Sequence, residues 1–201
     1  MNFLAHIYLS GDNELLTLGN FAADGIRGRK YLDYPEEIQA GILLHRFIDT
    51  YTDAHPIFRQ STKRLHEPYG HYSGVIIDIF YDHFLAKNWS RYSTVALEDF
   101  VEAFYASLQK HWDELPPKFK HLTPYMIEGN WLVNYASIEG IQSVLNGMNR
   151  RTNYKSKMDK AVKELTLFYQ DFENEFFAFF DELQHAALEK RKKLEIEFNI
   201  R

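Results

Sequence analysis

Leu165, Phe168, Phe172, Phe176, Phe179 and Leu183 follow one another in steps of three and four residues. On a helix that spacing lays the side chains along one face, one turn above another, as a continuous apolar stripe. The bland reading holds for these phenylalanines: they are core packing and not a cofactor box. A stripe this long must be covered by other helices, and the same period recurs nearly throughout the 201 residues. No stretch alternates apolar and polar residues between turn signals as a sheet requires. The pattern therefore predicts an all-α fold, one domain over residues 1–201, built as a helical bundle with a long C-terminal helix.

The punctuation of the chain sets the expected elements. Asp12 with Leu15, Leu16, Leu18 and Phe21 predicts a capped helix ending near Gly25. Pro35 followed by Glu36 and Glu37 reads as a helix start running to about Asp53, with acids at the positive end of the dipole. Further helices are expected over Ile57–Leu65, Tyr72–Lys87, Leu97–His111, Pro124–Tyr135 and Ile138–Asn149. Past Leu188 the segment EKRKKLEIEFNIR reads as a solvated, fraying end.

Composition matters here for what it excludes. There is no cysteine, so disulfides and thiolate metal sites are ruled out and a metal must rest on His, Asp or Glu. Net charge is −5, which argues against a duplex nucleic-acid binder, although a local basic patch is compatible with it. No uninterrupted apolar run approaches the ~20 residues needed to span a bilayer, and the start shows no signal-peptide pattern. The chain is expected in the cytoplasm, away from membranes. Phosphate-loop, dinucleotide-loop and serine-elbow motifs are absent.

Chemistry concentrates in two segments. In His45-Arg46-Phe47-Ile48-Asp49-Thr50-Tyr51-Thr52-Asp53, His45 and Asp49 lie ~40° apart on one helix face. They can converge on one cation, or form a solvated stripe or a local hydrogen bond. In the apolar helix after Gly74, Asp78 and Asp82 share a face at i,i+4. Two buried carboxylates need a cation or strong donors. His83, ~100° round from Asp82, can be a ligand, a proton carrier or a core histidine. His6 sits among apolar neighbours and Asp24 in a glycine-flanked turn; each alone can be structural. His71 would align with Asp78 only if that helix began before Gly74, and His55, His66, His111, His121 and His185 have no carboxylate in convincing register.

The segments MNFLAH, GNFAADGIRG, HRFIDTYTD, IIDIFYDHFLAKNW and VLNGMNRR occur in that order between Met1 and Arg151. Together they resemble the acyl-carrier-protein phosphodiesterase family, an atypical branch of the HD phosphatase/phosphodiesterase superfamily. The resemblance implies an HD-like helical fold and a divalent metal, Mn2+ foremost, with Mg2+ or Fe2+ as alternatives. It also implies holo-acyl carrier protein as substrate, with 4′-phosphopantetheine released and apo-carrier protein left. The usual HD signature is an adjacent His-Asp pair, whereas this chain has Asp82-His83, so ligand roles do not transfer from ordinary HD enzymes.

On that reading His45, Asp49, Asp78 and Asp82 are the expected ligands, with His6 and Asp24 completing or orienting the shell. His83 and Asp82 are expected at the reacting centre, His83 handling a proton. Arg27 and Arg46 either grip phosphate oxygens or form surface ion pairs. Carrier proteins are acidic, so a basic rim is expected among Arg27, Arg29, Lys30, Arg59, Lys63, Arg64, Arg150 and Arg151. The competing readings are an HD-like hydrolase of a nucleotide or other small phosphoester, a non-catalytic metal-binding partner of carrier protein, and an oxygen-activating di-iron protein.

Overall fold

Helix period and capping chemistry dictate the architecture of the computed structural model, which describes residues 2–200. Its helices are, in order, α1 (Phe3–Leu9), α2 (Glu14–Ala22), α3 (Glu36–Ala54), α4 (Pro56–Tyr69), α5 (Ser73–Lys87) and α6 (Leu97–Lys110). They continue as α7 (Pro117–Glu128), α8 (Trp131–Asn134), α9 (Ile138–Arg151), α10 (Val162–Leu167) and α11 (Tyr169–Glu197). Among the described residues there is no strand.

The C-terminal stripe is the spine of the core. Leu165, Phe172, Phe176, Phe179 and Leu183 are fully buried, and α11 runs along α3, α4 and α5. Phe176 stacks on Phe180 at 5.0 Å and meets Tyr81 edge-on at 5.6 Å, while Phe172 packs on Phe80. Burying each such ring contributes about 1.5–3 kcal/mol.

Several boundaries differ from the sequence expectation. The stripe is broken at Phe168, which ends α10 before α11 begins. The tail past Leu188 is helix as far as Glu197, because Leu194 is fully buried and Arg191 pairs with Glu195 one turn on. The helix expected over 124–135 is two helices. Pro117 opens α7 in the first turn, where a missing N–H costs nothing, and Pro124 lies inside it. The break falls at Asn130, whose φ of 43° is left-handed. α4 likewise runs four residues beyond Leu65 and contains Pro68.

Two close contacts, α2 on α3 and α1 on α5, position the polar side chains. α2 and α3 can touch because Gly19 and Gly41 have no side chain: a Cβ on Gly19 would overlap the Ile38 carbonyl, and one on Gly41 the Leu16 carbonyl. α1, which the periodicity did not announce, has no side-chain cap from its own N-cap residue Asn2. Asp82 of α5 supplies one, accepting from Leu4 N at 2.8 Å and Ala5 N at 3.1 Å. That cap is buried, and it fixes α1 across α5.

Candidate metal centre

The tight α2–α3 contact brings Asn20 of α2 between two histidines. Its Oδ1 accepts from His6 Nδ1 at 2.7 Å, and its Nδ2 donates to His6 O and Ser10 Oγ, each at 2.9 Å. Its main-chain oxygen accepts from His45 Nδ1 at 2.7 Å. A carbonyl oxygen can only accept, so both imidazoles carry their proton on Nδ1 toward Asn20 and present Nε2 to the other side. The two rings stack with centroids 4.0 Å apart and planes 20° apart.

Both Nε2 atoms face Asp49. His45 Nε2 lies 3.0 Å from Asp49 Oδ2, His6 Nε2 lies 3.3 Å from Asp49 Oδ1, and Asp24 Oδ1 is 3.6 Å from His45 Nε2. His6, His45 and one Asp49 oxygen offer three ligand atoms within 4.8 Å of one another. His6 and His45 are buried, while Asp49 is half-buried and Asp24 exposed, so the cluster opens to solvent on its carboxylate side.

The electrostatics follow from this geometry. Burial and the charge on His45 lower His6 to about 4. Burial also opposes charge on His45, but Asp24 and Asp49 outweigh it and push that ring up to about 9. Asp49, which burial alone would raise, is held far below the usual carboxylate range by His45 and His6. Asp24 is lowered, chiefly by His45. Without a metal, one imidazolium is shared between two carboxylates. The neutral His6 ring meanwhile points an Nε2 lone pair at a carboxylate oxygen, an arrangement that a cation between them makes favourable. The donor set, two imidazoles and a carboxylate with second-sphere partners on both Nδ1 atoms, fits a divalent transition metal.

The chain also matches known proteins over nearly its whole length. Residues 1–183 match the family model described as acyl carrier protein phosphodiesterase. The chain belongs to that family. The acyl carrier protein phosphodiesterase of Photorhabdus laumondii is 33% identical over 191 residues, covering 94% of this chain and 96% of the relative. The proteins of that name from Yersinia enterocolitica and Klebsiella pneumoniae are each 32% identical, with 95% of this chain and all of the relative covered. No solved structure is significantly similar to it.

In this family member the expected site residues separate into two groups. His6, Asp24, His45 and Asp49 meet, although they come from α1, the turn after α2, and α3. Asp78 stands close by, near enough to feel the charges of Asp49 and Asp53, and burial raises its carboxyl. Asp82, expected as a ligand, accepts with both of its oxygens from the first amides of α1, and burial pushes it up to about 7. His83, expected to handle a proton, has its Nδ1 2.7 Å from Tyr135 O and its Nε2 2.8 Å from Tyr169 Oη, so it faces α8 and α11, and burial lowers it.

The arginines also divide. Arg46 donates to Gly28 O at 2.8 Å and lies over the Tyr31 ring at 4.9 Å, which ties the 26–31 loop to α3 and leaves it as a positioning residue. Arg27 is exposed. Arg64, expected on the basic rim, turns inward to the buried Glu175, which also accepts from Ser61 and Gln60. His55 and His111 do have carboxylates, Glu182 at 3.2 Å and Glu14 at 3.0 Å, but these come from other helices, where register within one segment cannot reveal them.

Asn20 is the residue sequence reasoning missed. The signal was available as an amide amid the apolar run of α2, since a buried polar side chain needs partners. Its identity as the common acceptor of two histidines depends on which helix packs opposite.

Proposed function

We propose that the chain hydrolyses the phosphodiester joining 4′-phosphopantetheine to a serine of acyl carrier protein, using a divalent cation held by His6, His45 and Asp49. The observation that carries this reading is the meeting of those three donors in a chain that belongs to the phosphodiesterase family. An HD-like scaffold over residues 1–201 is part of the same proposal. Two imidazole donors favour Mn2+ or Fe2+ over Mg2+, which prefers oxygen ligands and dehydrates reluctantly. When bound, the cation supplies Lewis acidity toward the phosphoryl group and makes a nearby water more acidic.

The chain's own residues do the rest. Asn20 holds both rings so that their Nε2 lone pairs point at one place. Asp49 neutralises that place from the third side. Asp24, the most exposed carboxylate of the cluster and the one on a turn, orients the attacking water and accepts its proton. Asp78 stands behind and adjusts the charge of the pocket or lends a further oxygen ligand. In the reaction, water oxygen bonds to phosphorus and the bond from phosphorus to the serine oxygen breaks. The serine oxygen leaves with a proton, giving 4′-phosphopantetheine and apo-carrier protein. Arg27 lies exposed beside the Asp24 turn and suits a contact to the non-bridging oxygens.

Intact-mass measurement of holo-carrier protein incubated with the Mn2+-loaded enzyme, beside a nucleotide panel, tests the proposal. Loss of the prosthetic-group mass is expected. Turnover of nucleotides with the carrier protein untouched would overturn it.

A further inference from the structure

Between residues 150 and 163 the chain carries Arg150, Arg151, Lys155, Lys157, Lys160 and Lys163 against one carboxylate, Asp159, although its net charge is −5. All six cations are exposed. Among the described residues none of them forms an ion pair, whereas Arg64, Lys87, Arg91 and Lys110 each do. Like charges collected without counterions repel one another, so the arrangement is unfavourable in the free protein and is relieved by an acidic partner.

The segment is also built to keep one shape. Asn149 is buried, and its Oδ1 accepts from Ser156 Oγ at 2.9 Å and Lys157 N at 3.0 Å while its Nδ2 donates to Asp159 Oδ1 at 2.7 Å. Ser156 is buried with it and takes a second bond from Thr152 Oγ1. These bonds hold Asn153, Tyr154 and Lys157 in the left-handed region, at φ of 51°, 61° and 56°. Non-glycine residues stay there only when the surroundings over-determine them. Tyr154 is carried at the tip, 67% exposed. A rigid ring among fixed cations meets a partner with little left to order.

Packing links the segment to the helix that bears His6, because α5 touches both α9 and α1. α9 packs on α5, and Arg151 is close enough to the Tyr135 hydroxyl to act on it electrostatically. That hydroxyl accepts from Asn2 at 3.2 Å, at the start of the helix that bears His6.

We infer that residues 150–163 are the docking surface for the acidic carrier protein, with the six cations meeting its carboxylates and Tyr154 packing between them. The inference rests on the proposed substrate. It narrows the basic rim, since Arg64 is used inside the fold and Arg59 bonds the Asp53 carbonyl. An acidic protein suits this surface better than a nucleic acid, because the rest of the molecule is acidic and one aromatic tip is no stacking platform.

The test compares Lys155→Glu/Lys160→Glu with the control Lys190→Glu/Lys193→Glu on α11, using apo-carrier protein for binding, holo-carrier protein for turnover and bis(p-nitrophenyl) phosphate as a small diester. In the loop variant Kd and KM for carrier protein are expected to rise at least about tenfold and to lose most of their salt dependence. Its kcat, its hydrolysis of the small diester and its unfolding midpoint stay at wild-type values, and the control variant changes none of these. Unchanged carrier-protein Kd in the loop variant would overturn the inference. So would an equal loss in the control, or a loop effect confined to anionic vesicles or RNA. A wild-type enzyme that binds carrier protein through the loop without cleaving it would sink the substrate reading and leave the docking surface standing.

Discussion

Removing the Asn20 side chain takes the acceptor from His6 Nδ1 while leaving the main-chain acceptor of His45 in place. Asn20→Ala is therefore expected to free the His6 ring, weaken Mn2+ binding about 10–100-fold, and cost about 1–3 kcal/mol through the stranded buried donor His6 Nδ1. Calorimetric titration and urea unfolding check the two effects separately. Proton linkage gives a second expectation. His45 is pushed up to about 9 and His6 lowered to about 4, so at pH 7 cation uptake should release about one proton, from His45. Apparent affinity should then climb about tenfold per pH unit until it levels near pH 9. In the metal-free protein the signs are opposite for the two rings. The raised His45 stabilises the fold fully below its ordinary value of 6.5 and ceases to as pH rises through about 9. The lowered His6 makes the fold lose stability as pH falls from 6.5 toward about 4. Proton release in a weakly buffered indicator solution reads the first, and unfolding curves across pH read the second. At this scale the sequence reveals a pair but not what faces it. His45 and Asp49 are legible because i,i+4 spacing alone joins them. Asp78 and Asp82 have the same spacing and separate fates, since helical angles say nothing of the neighbour on that face.

The packing of α1 shows the same limit one level up. Seven residues of mostly apolar sequence give no stripe and no cap, so nothing local marks Phe3–Leu9 as a helix. Its N-terminal amides are satisfied from α5, 77 and 78 residues away. Asp82→Ala should leave those two amides unsatisfied and lower stability by about 2 kcal/mol or more, while the protein still takes up a cation at saturating concentration. Equilibrium unfolding with parallel metal titration distinguishes this from a ligand role, in which uptake would vanish with stability little changed. The long elements were readable, α3 and α5 with the help of proline or glycine punctuation and α11 from the period of its stripe. The boundary at Asn130 and the helical tail to Glu197 were not. One depends on a left-handed residue, and the other on a single buried leucine, Leu194, finding the core.

Over the whole molecule, the cluster joins parts of the chain that a bundle must assemble before they can act. His6 enters on α1, Asp24 on the turn after α2, His45 and Asp49 on α3, and α11 braces α1, α3, α4 and α5 together. The C-terminal helix also reaches back to the start of the chain, where Gln184 donates to the Tyr8 hydroxyl at 2.9 Å. A cation that binds only the folded arrangement stabilises it by mass action, so a chelator should lower Tm of the metal-loaded protein and Mn2+ should restore it. Among the described residues no helix is long and apolar enough to cross a membrane. The all-α class was legible because it is a property of period, summed over the chain. The convergence of His6 with His45 was not, since it is created by two glycines that let α2 and α3 touch. Metal stoichiometry of purified wild-type protein beside His6→Ala, His45→Ala, Asp49→Ala and Asp82→Ala is the most direct measurement. Tight Mn2+ or Fe2+ uptake is expected in the wild type and Asp82→Ala and should be lost in the other three; undiminished uptake by His45→Ala and Asp49→Ala would contradict the shared centre.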